Sequence, residues 1–354
     1  MINKADLRYI TIILLLIPVC SCKNEQKNHA RSEESNTVKL LLKLPTKYNT
    51  PDGATLGNDG KIYVSVPNFN NGYLIQNNVI DTPESSYIIS IDKNNTLSEW
   101  YKFSNEDLHP ETGFVGPMDL AFGPNGNLYI ADMQVAYDPM HKSRLLRINI
   151  ENGKPRGMDV LVEGFIACNG MIWQGNTLYV TESILEHMPQ DAQNGILTSG
   201  VYAFSLEELG QKETIRLAPY SAEKQNPHLA ITFNREANGF GADGIAIDDA
   251  GYIYTTVSGA IYKTLLGLDN KEIKTKLFAE DKNTQQSFDG IVWNSADRKL
   301  YTVGFLENAL YAIDEQGNIE TLHQNGDPME RMDYSINQQK SFSATMNWLS
   351  LIWI

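Results

Sequence analysis

Apolar and polar positions along this chain fall into a phrase that recurs. Each copy is an apolar strand, a Gly/Asn/Asp turn and a second strand carrying Tyr. Asp52-Gly53-Ala54-Thr55-Leu56 runs on to Gly60-Lys61-Ile62-Tyr63-Val64, and Met118-Asp119-Leu120-Ala121-Phe122 to Gly126-Asn127-Leu128-Tyr129-Ile130. Asn169-Gly170-Met171-Ile172-Trp173 leads to Leu178-Tyr179-Val180. Asp243-Gly244-Ile245-Ala246-Ile247 leads to Gly251-Tyr252-Ile253-Tyr254, and Asp289-Gly290-Ile291-Val292-Trp293 to Leu300-Tyr301. A third strand follows each pair, as in Tyr87 to Asp92, Leu145 to Asn149, Val201 to Phe204, Ala260 to Lys263 and Ala309 to Asp314. A weaker fourth follows most of them, as in Ser98 to Lys102 and Lys274 to Phe278. Short β-branched and aromatic runs between turn residues predict strands, and no long helical period competes with them. Repetition on this scale, four antiparallel strands to a unit, predicts the blades of a β-propeller.

Five blades are clear. The strand Val38 to Leu44 precedes the first phrase without a partner of its own, which predicts that it closes the ring as the outer strand of a sixth blade. After residue 322 no Gly-x-Leu-Tyr phrase appears; the chain ends in Met346 to Ile354 (MNWLSLIWI). The fold class is therefore all-β, a six-bladed β-propeller whose last blade is degenerate or truncated. Two long insertions, residues 183–200 and 219–242, are placed on the face where the phrases begin, where loops shape a pocket or lid.

The N-terminus reads differently. Lys4 and Arg8 precede an apolar run, Ile10 to Val19, shorter than a membrane span needs. It ends in Val19-Cys20-Ser21-Cys22 and resembles a bacterial lipoprotein signal with its lipobox, Cys22 being the acceptor because the small Ser21 precedes it. An ordinary secretory signal or an N-terminal anchor is the competing reading. The division expected is 1–21 signal peptide, 22–37 flexible polar tether, and 38–354 propeller. The location expected is the bacterial cell envelope, with a lipid anchor in the membrane.

Composition adds exclusions. The formal charge is −14, which disfavours nucleic acid and anionic lipid surfaces as partners and favours cations. Of three cysteines, Cys20 leaves with the signal and Cys22 is acylated. Cys168 is then alone, without a disulfide partner, and reads as a small buried residue.

The candidate chemistry lies in the first residue of each phrase. Asp52, Asn169, Asp243 and Asp289 each precede an innermost strand, and a propeller brings such positions to the mouth of the central channel. Glycine beside them permits unusual backbone angles and close approach. Convergent carboxylate and amide oxygens suit a hard divalent cation such as Ca²⁺, and no His/Cys cluster argues for zinc or copper. The competing reading makes them turn residues that merely cap strands. Met118 breaks the series, and Asp119 beside it reads as a strand-edge residue. Tyr63, Tyr129, Tyr179, Tyr254 and Tyr301 share a place in the phrase and read as inter-blade packing.

On these motifs the chain resembles, over residues 48–322, the SMP-30/gluconolactonase/LRE-like family of six-bladed propellers. That family also takes in calcium-dependent phosphotriesterases of the squid diisopropylfluorophosphatase kind. Its metal is held by a Glu, an Asn of an Asn-Gly motif and an Asp of an Asp-Gly motif. Asn169 in Cys168-Asn169-Gly170-Met171 and Asp243 in Ala242-Asp243-Gly244-Ile245 match the last two. Asp52 stands where the family has Glu, and Met118 where it often has a further Asn.

The resemblance implies a monomeric metal-dependent hydrolase of lactones or related esters. Asp52, Asn169 and Asp243 would be the ligands, with Asp243 the general base and Asn169 orienting ion and substrate. Asp289 and Glu182 are candidates for the surrounding shell, Glu182 against the reading of an exposed acid. His109, His187 and His228 are candidates for assisting proton transfer, against the reading of solvated loop histidines. A non-catalytic NHL-like surface propeller binding a glycan or protein is the alternative, which Gly123 to Asp132 (GPNGNLYIAD) would suit equally.

Overall fold

A computed structural model describes residues 10–15, 39–186, 195–236, 241–280, 287–304, 307, 309–324 and 352–353. Five antiparallel sheets are arranged as the blades of a β-propeller. Blade one comprises Ala54–Leu56, Ile62–Val66, Tyr87–Ile91 and Leu97–Lys102. Blade two comprises Pro117–Phe122, Leu128–Asp132, Ser143–Glu151 and Lys154–Phe165. Blade three comprises Cys168–Gln174, Thr177–Glu182, Ile196–Ser205 and Leu229–Glu236. Blade four comprises Ala242–Ile247, Ile253–Val257, Ala260–Leu266 and Glu272–Glu280. Blade five comprises Phe288–Asn294, Lys299–Gly304, Ala309–Ile313 and Ile319–Gln324.

Period-two alternation sends successive residues to opposite faces of each blade, so both faces must be apolar where blades stack. In blade one, Ile62, Val64, Val66, Ile89 and Ile91 form one cluster. Tyr63 and Ile88 point the other way, into a cluster with Leu120, Leu128 and Ile130 of blade two. The recurrent tyrosines do the joining. Tyr63 meets Phe122 edge-on at 5.0 Å, Tyr129 meets Trp173 at 5.0 Å, and Tyr254 stacks on Trp293 at 6.3 Å. Their hydroxyls close the hairpin turns of their own blades, Tyr63 and Tyr254 donating to Asp59 and Asp248.

The strand Lys39–Leu44 pairs antiparallel with Ile10–Leu15, which pairs in parallel with Ile352–Trp353. Leu41 and Leu42 pack on the blade-one face that blade two does not cover. The partner of Lys39–Leu44 thus lies within the stretch read as signal peptide, so this sheet belongs to the unprocessed chain.

One correction concerns blade three. Its fourth strand, Leu229–Glu236, lies inside the stretch 219–242 that was expected to be an insertion. The connection before it carries a short helix, Leu206–Leu209, whose Ser205/Glu208 capping box satisfies main-chain donors at its start. That connection then clips onto blade two, where Ile215–Arg216 pairs with Val162 and Glu163.

Blade two carries a buried ion pair. Arg144, 3% exposed in its side chain, meets Asp132, which is fully buried, at 2.7 Å. Asp132 also accepts from Gly116 N–H and from Gln134. Arg144→Met would leave that carboxylate buried without its cation, at a cost of about 3–5 kcal/mol. Urea denaturation should show it as a lowered midpoint with an unchanged slope.

Candidate functional site

The inner strands approach one another too closely for side chains at one position. A Cβ added to Gly53 would stand 2.5 Å from the Asp119 Cα, one at Gly170 would stand 2.4 Å from the Asp243 carbonyl oxygen, and one at Gly244 would stand 2.3 Å from that of Asp289. None of these glycines has positive φ. Glycine is required here for close approach, and the unusual backbone angle read from the sequence is not used.

A girdle of hydroxyls fixes the same level. Two residues after the tyrosine of the repeated phrase, in blades one, three and four, Ser65, Thr181 and Thr256 donate to the carbonyl oxygens of Met118, Asp243 and Asp289, each in the next blade. The register places Met118 where the other blades have Asp or Asn.

These contacts bring the first residues of the phrases around one central cavity of about 350 Å³. Asp52, Asn169, Asp243 and Asp289 line it and are between 6% and 8% exposed. Asp119, partly open to the cavity, lines it as well. Among the described residues, no Lys, Arg or His lines it. The Asn169 side-chain amide donates to the Asp243 carboxylate, and Asp52 Oδ2 is buried without a hydrogen-bond partner.

Four carboxylates facing one another, with no cationic side chain among the described lining residues, resist ionisation. Burial pushes Asp52 well above the usual carboxylate range, and the charges of Asp289 and Asp119 add to it. Burial does the same to Asp243, with Asp289, Asp52 and Asp119 contributing. Asp119 is pushed up to about 7 by burial, against the opposing main-chain N–H groups of Met171 and Leu120. Asp289 is also pushed to about 7 by burial, opposed by Gly290 N–H and raised further by Asp119.

The oxygen-only donor set and the unpartnered Asp52 oxygen fit a hard cation. Among the described residues, however, no three His, Cys, Asp or Glu side chains stand close enough to form a ready-made metal group. The contact already formed is that between Asn169 and Asp243.

Other candidates lie elsewhere. Glu182 is neither exposed nor in the cavity wall. It is buried, and it accepts from Ala167 N–H at 2.7 Å, Ile166 N–H at 2.9 Å and Ile184 N–H at 3.2 Å, clamping the loop before blade three's inner strand. Burial raises its carboxyl to about 8 despite those donors. Asp132 and Glu307 clamp Gly116 and Ser287 N–H in the same way, so the role belongs to the fold.

His109 is buried in its own loop, where Nδ1 accepts from Glu111 and Thr112 N–H. Burial and then the Arg144 charge hold its pKa down. His228 stacks on Phe204 and hydrogen-bonds Asn226 at the outer part of blade three. Neither is a cavity residue. His187 lies outside the described residues. Cys168 is buried with its thiol pushed up by burial, as expected of an inert core residue.

The residue that sequence reasoning missed is Asp119, set aside as a strand-edge acid. The signal was an acid in the place where the other blades have glycine.

The fold and hub define a β-propeller with an acidic central cavity. Solved structures share the architecture. A structure of the nidogen/laminin complex matches with a TM-score of 0.53 and 11% identity, over 91% of this chain and 94% of that one. A gluconolactonase from Xanthomonas campestris matches with a TM-score of 0.45 and 11% identity, over 79% and 78%. A luciferin-regenerating enzyme matches with a TM-score of 0.47 and 12% identity, over 80% and 78%. Propellers of the gluconolactonase and luciferin-regenerating type are thus among the structures this chain is similar to, at low identity. No family model matches the sequence, and no curated protein does.

Proposed function

We propose that the chain is a divalent-cation-dependent hydrolase of lactones or related esters, working at the central cavity with Ca²⁺ as the cation. The observation that carries the reading is the buried Asp52 oxygen, unpartnered among the described residues, beside carboxylates that no described basic side chain offsets. A buried acceptor without a donor is costly unless something positive meets it.

Asp52, Asn169 and Asp243 would hold the ion, converging on it from the positions they have here. A bound divalent cation supplies polarisation of an ester carbonyl and a lowered pKa for the attacking water. Asp243 then accepts the water's proton, since its carboxylate sits at the cavity wall with one oxygen held by Asn169. Asn169 fixes the orientation of that base. Asp289, at the same wall, is the alternative acceptor. Hydrolysis yields an anionic carboxylate product, which an acidic cavity repels, so the same charges favour its release.

The test is a screen of lactones, carboxylic esters and phosphotriesters with calcium and with a chelator. The reading requires hydrolysis of at least one neutral lactone or ester that the chelator abolishes. No hydrolysis, together with no calcium effect on stability, would favour a binding propeller instead.

We further propose that Cys22 carries a lipid anchor and residues 22–37 tether the propeller to an envelope membrane. The support is the lipobox-like Val19-Cys20-Ser21-Cys22; Cys22 lies outside the described residues. Cys22→Ser should move the protein from the membrane to the soluble fraction, and a variant still sedimenting with membranes would refute the anchor.

A further inference from the structure

Blade two departs from blades one, three and four at three linked positions; blade five keeps Asp289-Gly290 but has Val303 at the third. Met118 stands where those three blades place Asp or Asn, Asp119 where they place Gly, and Ala131 where Ser65, Thr181 and Thr256 donate across to the next blade. By that pattern, a hydroxyl at position 131 would reach the Asn169 carbonyl of blade three. Ala131 has none, yet the junction between blades two and three is still hydrogen-bonded from a side chain. Asp119 Oδ2 accepts from Met171 N–H of blade three at 2.7 Å, and its Oδ1 accepts from Leu120 N–H at 2.8 Å.

We infer that Asp119 does alone what blades one, three and four divide between two residues: it fastens its blade to the next, and it presents the acidic group to the cavity that Met118 does not. The geometry supports both halves. The bond to Met171 fixes the strand that begins Cys168-Asn169-Gly170, so Asp119 sets the position from which Asn169 reaches Asp243. With both oxygens anchored by main-chain donors, its carboxylate is held against the cavity wall rather than free to swing to solvent. Its charge also acts on Asp52 and Asp243. Asp119 is therefore a positioning residue for the site, and its cavity role rests on the cation-dependent reading above.

Two variants separate the roles. Asp119→Ala removes both. Asp119→Ala combined with Ala131→Ser returns a hydroxyl of the kind Ser65 supplies in blade one, and returns no charge. The readout is the melting temperature, with the calcium concentration that gives half of its calcium-induced rise. Asp119→Ala should lower the metal-free melting temperature and raise the calcium midpoint at least tenfold. The double variant should recover most of the melting temperature while its calcium midpoint stays at least tenfold raised.

Recovery of both quantities in the double variant would reduce Asp119 to a fastener. No change in either quantity in Asp119→Ala would overturn the inference entirely. If calcium does not move the wild-type melting temperature, the hydrolase reading and the cavity role fall together. The fastening role then stands or falls on whether Ala131→Ser restores the stability that Asp119→Ala loses.

Discussion

Asp243→Asn is expected to lower hydrolysis by about a thousandfold while raising the stability of the metal-free protein. The two effects have one cause. Asp243 is buried beside Asp289, Asp52 and Asp119, and its ionised form is opposed by burial and then by each of those charges. An amide removes the repulsion and still offers an oxygen to the Asn169 side chain. It provides neither the negative charge a divalent ion needs nor a group that can take a proton. A gain in stability with a loss of activity is the pattern of a site strained for function. Melting in chelator and initial rates in calcium check both halves. A variant that is less stable without calcium, or that keeps most of its activity, would show that Asp243 is a structural acceptor.

The second large effect is on pH. In chelator, the melting temperature should fall as pH rises from about 4 to 8, and calcium should remove most of that fall. The sign follows from proton counting. Asp119 and Asp289 are raised from 3.8 to about 7, and Asp52 and Asp243 are raised well above 3.8. Between the unfolded and folded values the native state holds more protons than the unfolded chain, so stability declines with pH through that window. The contribution is full below the unfolded value and is lost as pH passes the folded one. Calcium competes with those protons, and its stabilisation should therefore be larger at pH 8 than at pH 5. A metal-free protein whose stability rises through this window would mean that the hub carboxylates are already compensated.

The repeats made the blades legible, because a phrase of strand, turn and strand states both the periodicity and the register. They also gave the hub. The first residue of each phrase is equivalent by construction; in blades three, four and five it is the second residue of the inner strand rather than the one before it. Asp52, Asn169, Asp243 and Asp289 all line the cavity. What failed to show depended on contacts between distant segments. Glu182 reads as a surface acid because it ends a strand, but three main-chain donors and complete burial turn it inward. His109 and His228 sit in loops, and only their loop partners reveal that they serve those loops. The fourth strand of blade three was hidden because a long connection separates it from the third and its partner is set by pairing, not by spacing. Asp119 was misread for a more instructive reason. Judged alone it is an acid at a strand edge; judged with Ala131 and the girdle, it is the compensation for two missing groups.

The central claim is that the hub gathers a cation between blades, and a crystal grown with calcium tests it most directly. The account predicts an ion in the central cavity with oxygen ligands from Asp52, Asn169 and Asp243 at about 2.3–2.6 Å. A cavity holding water alone at saturating calcium, with no ion shared by Asp52, Asn169 and Asp243, would contradict it.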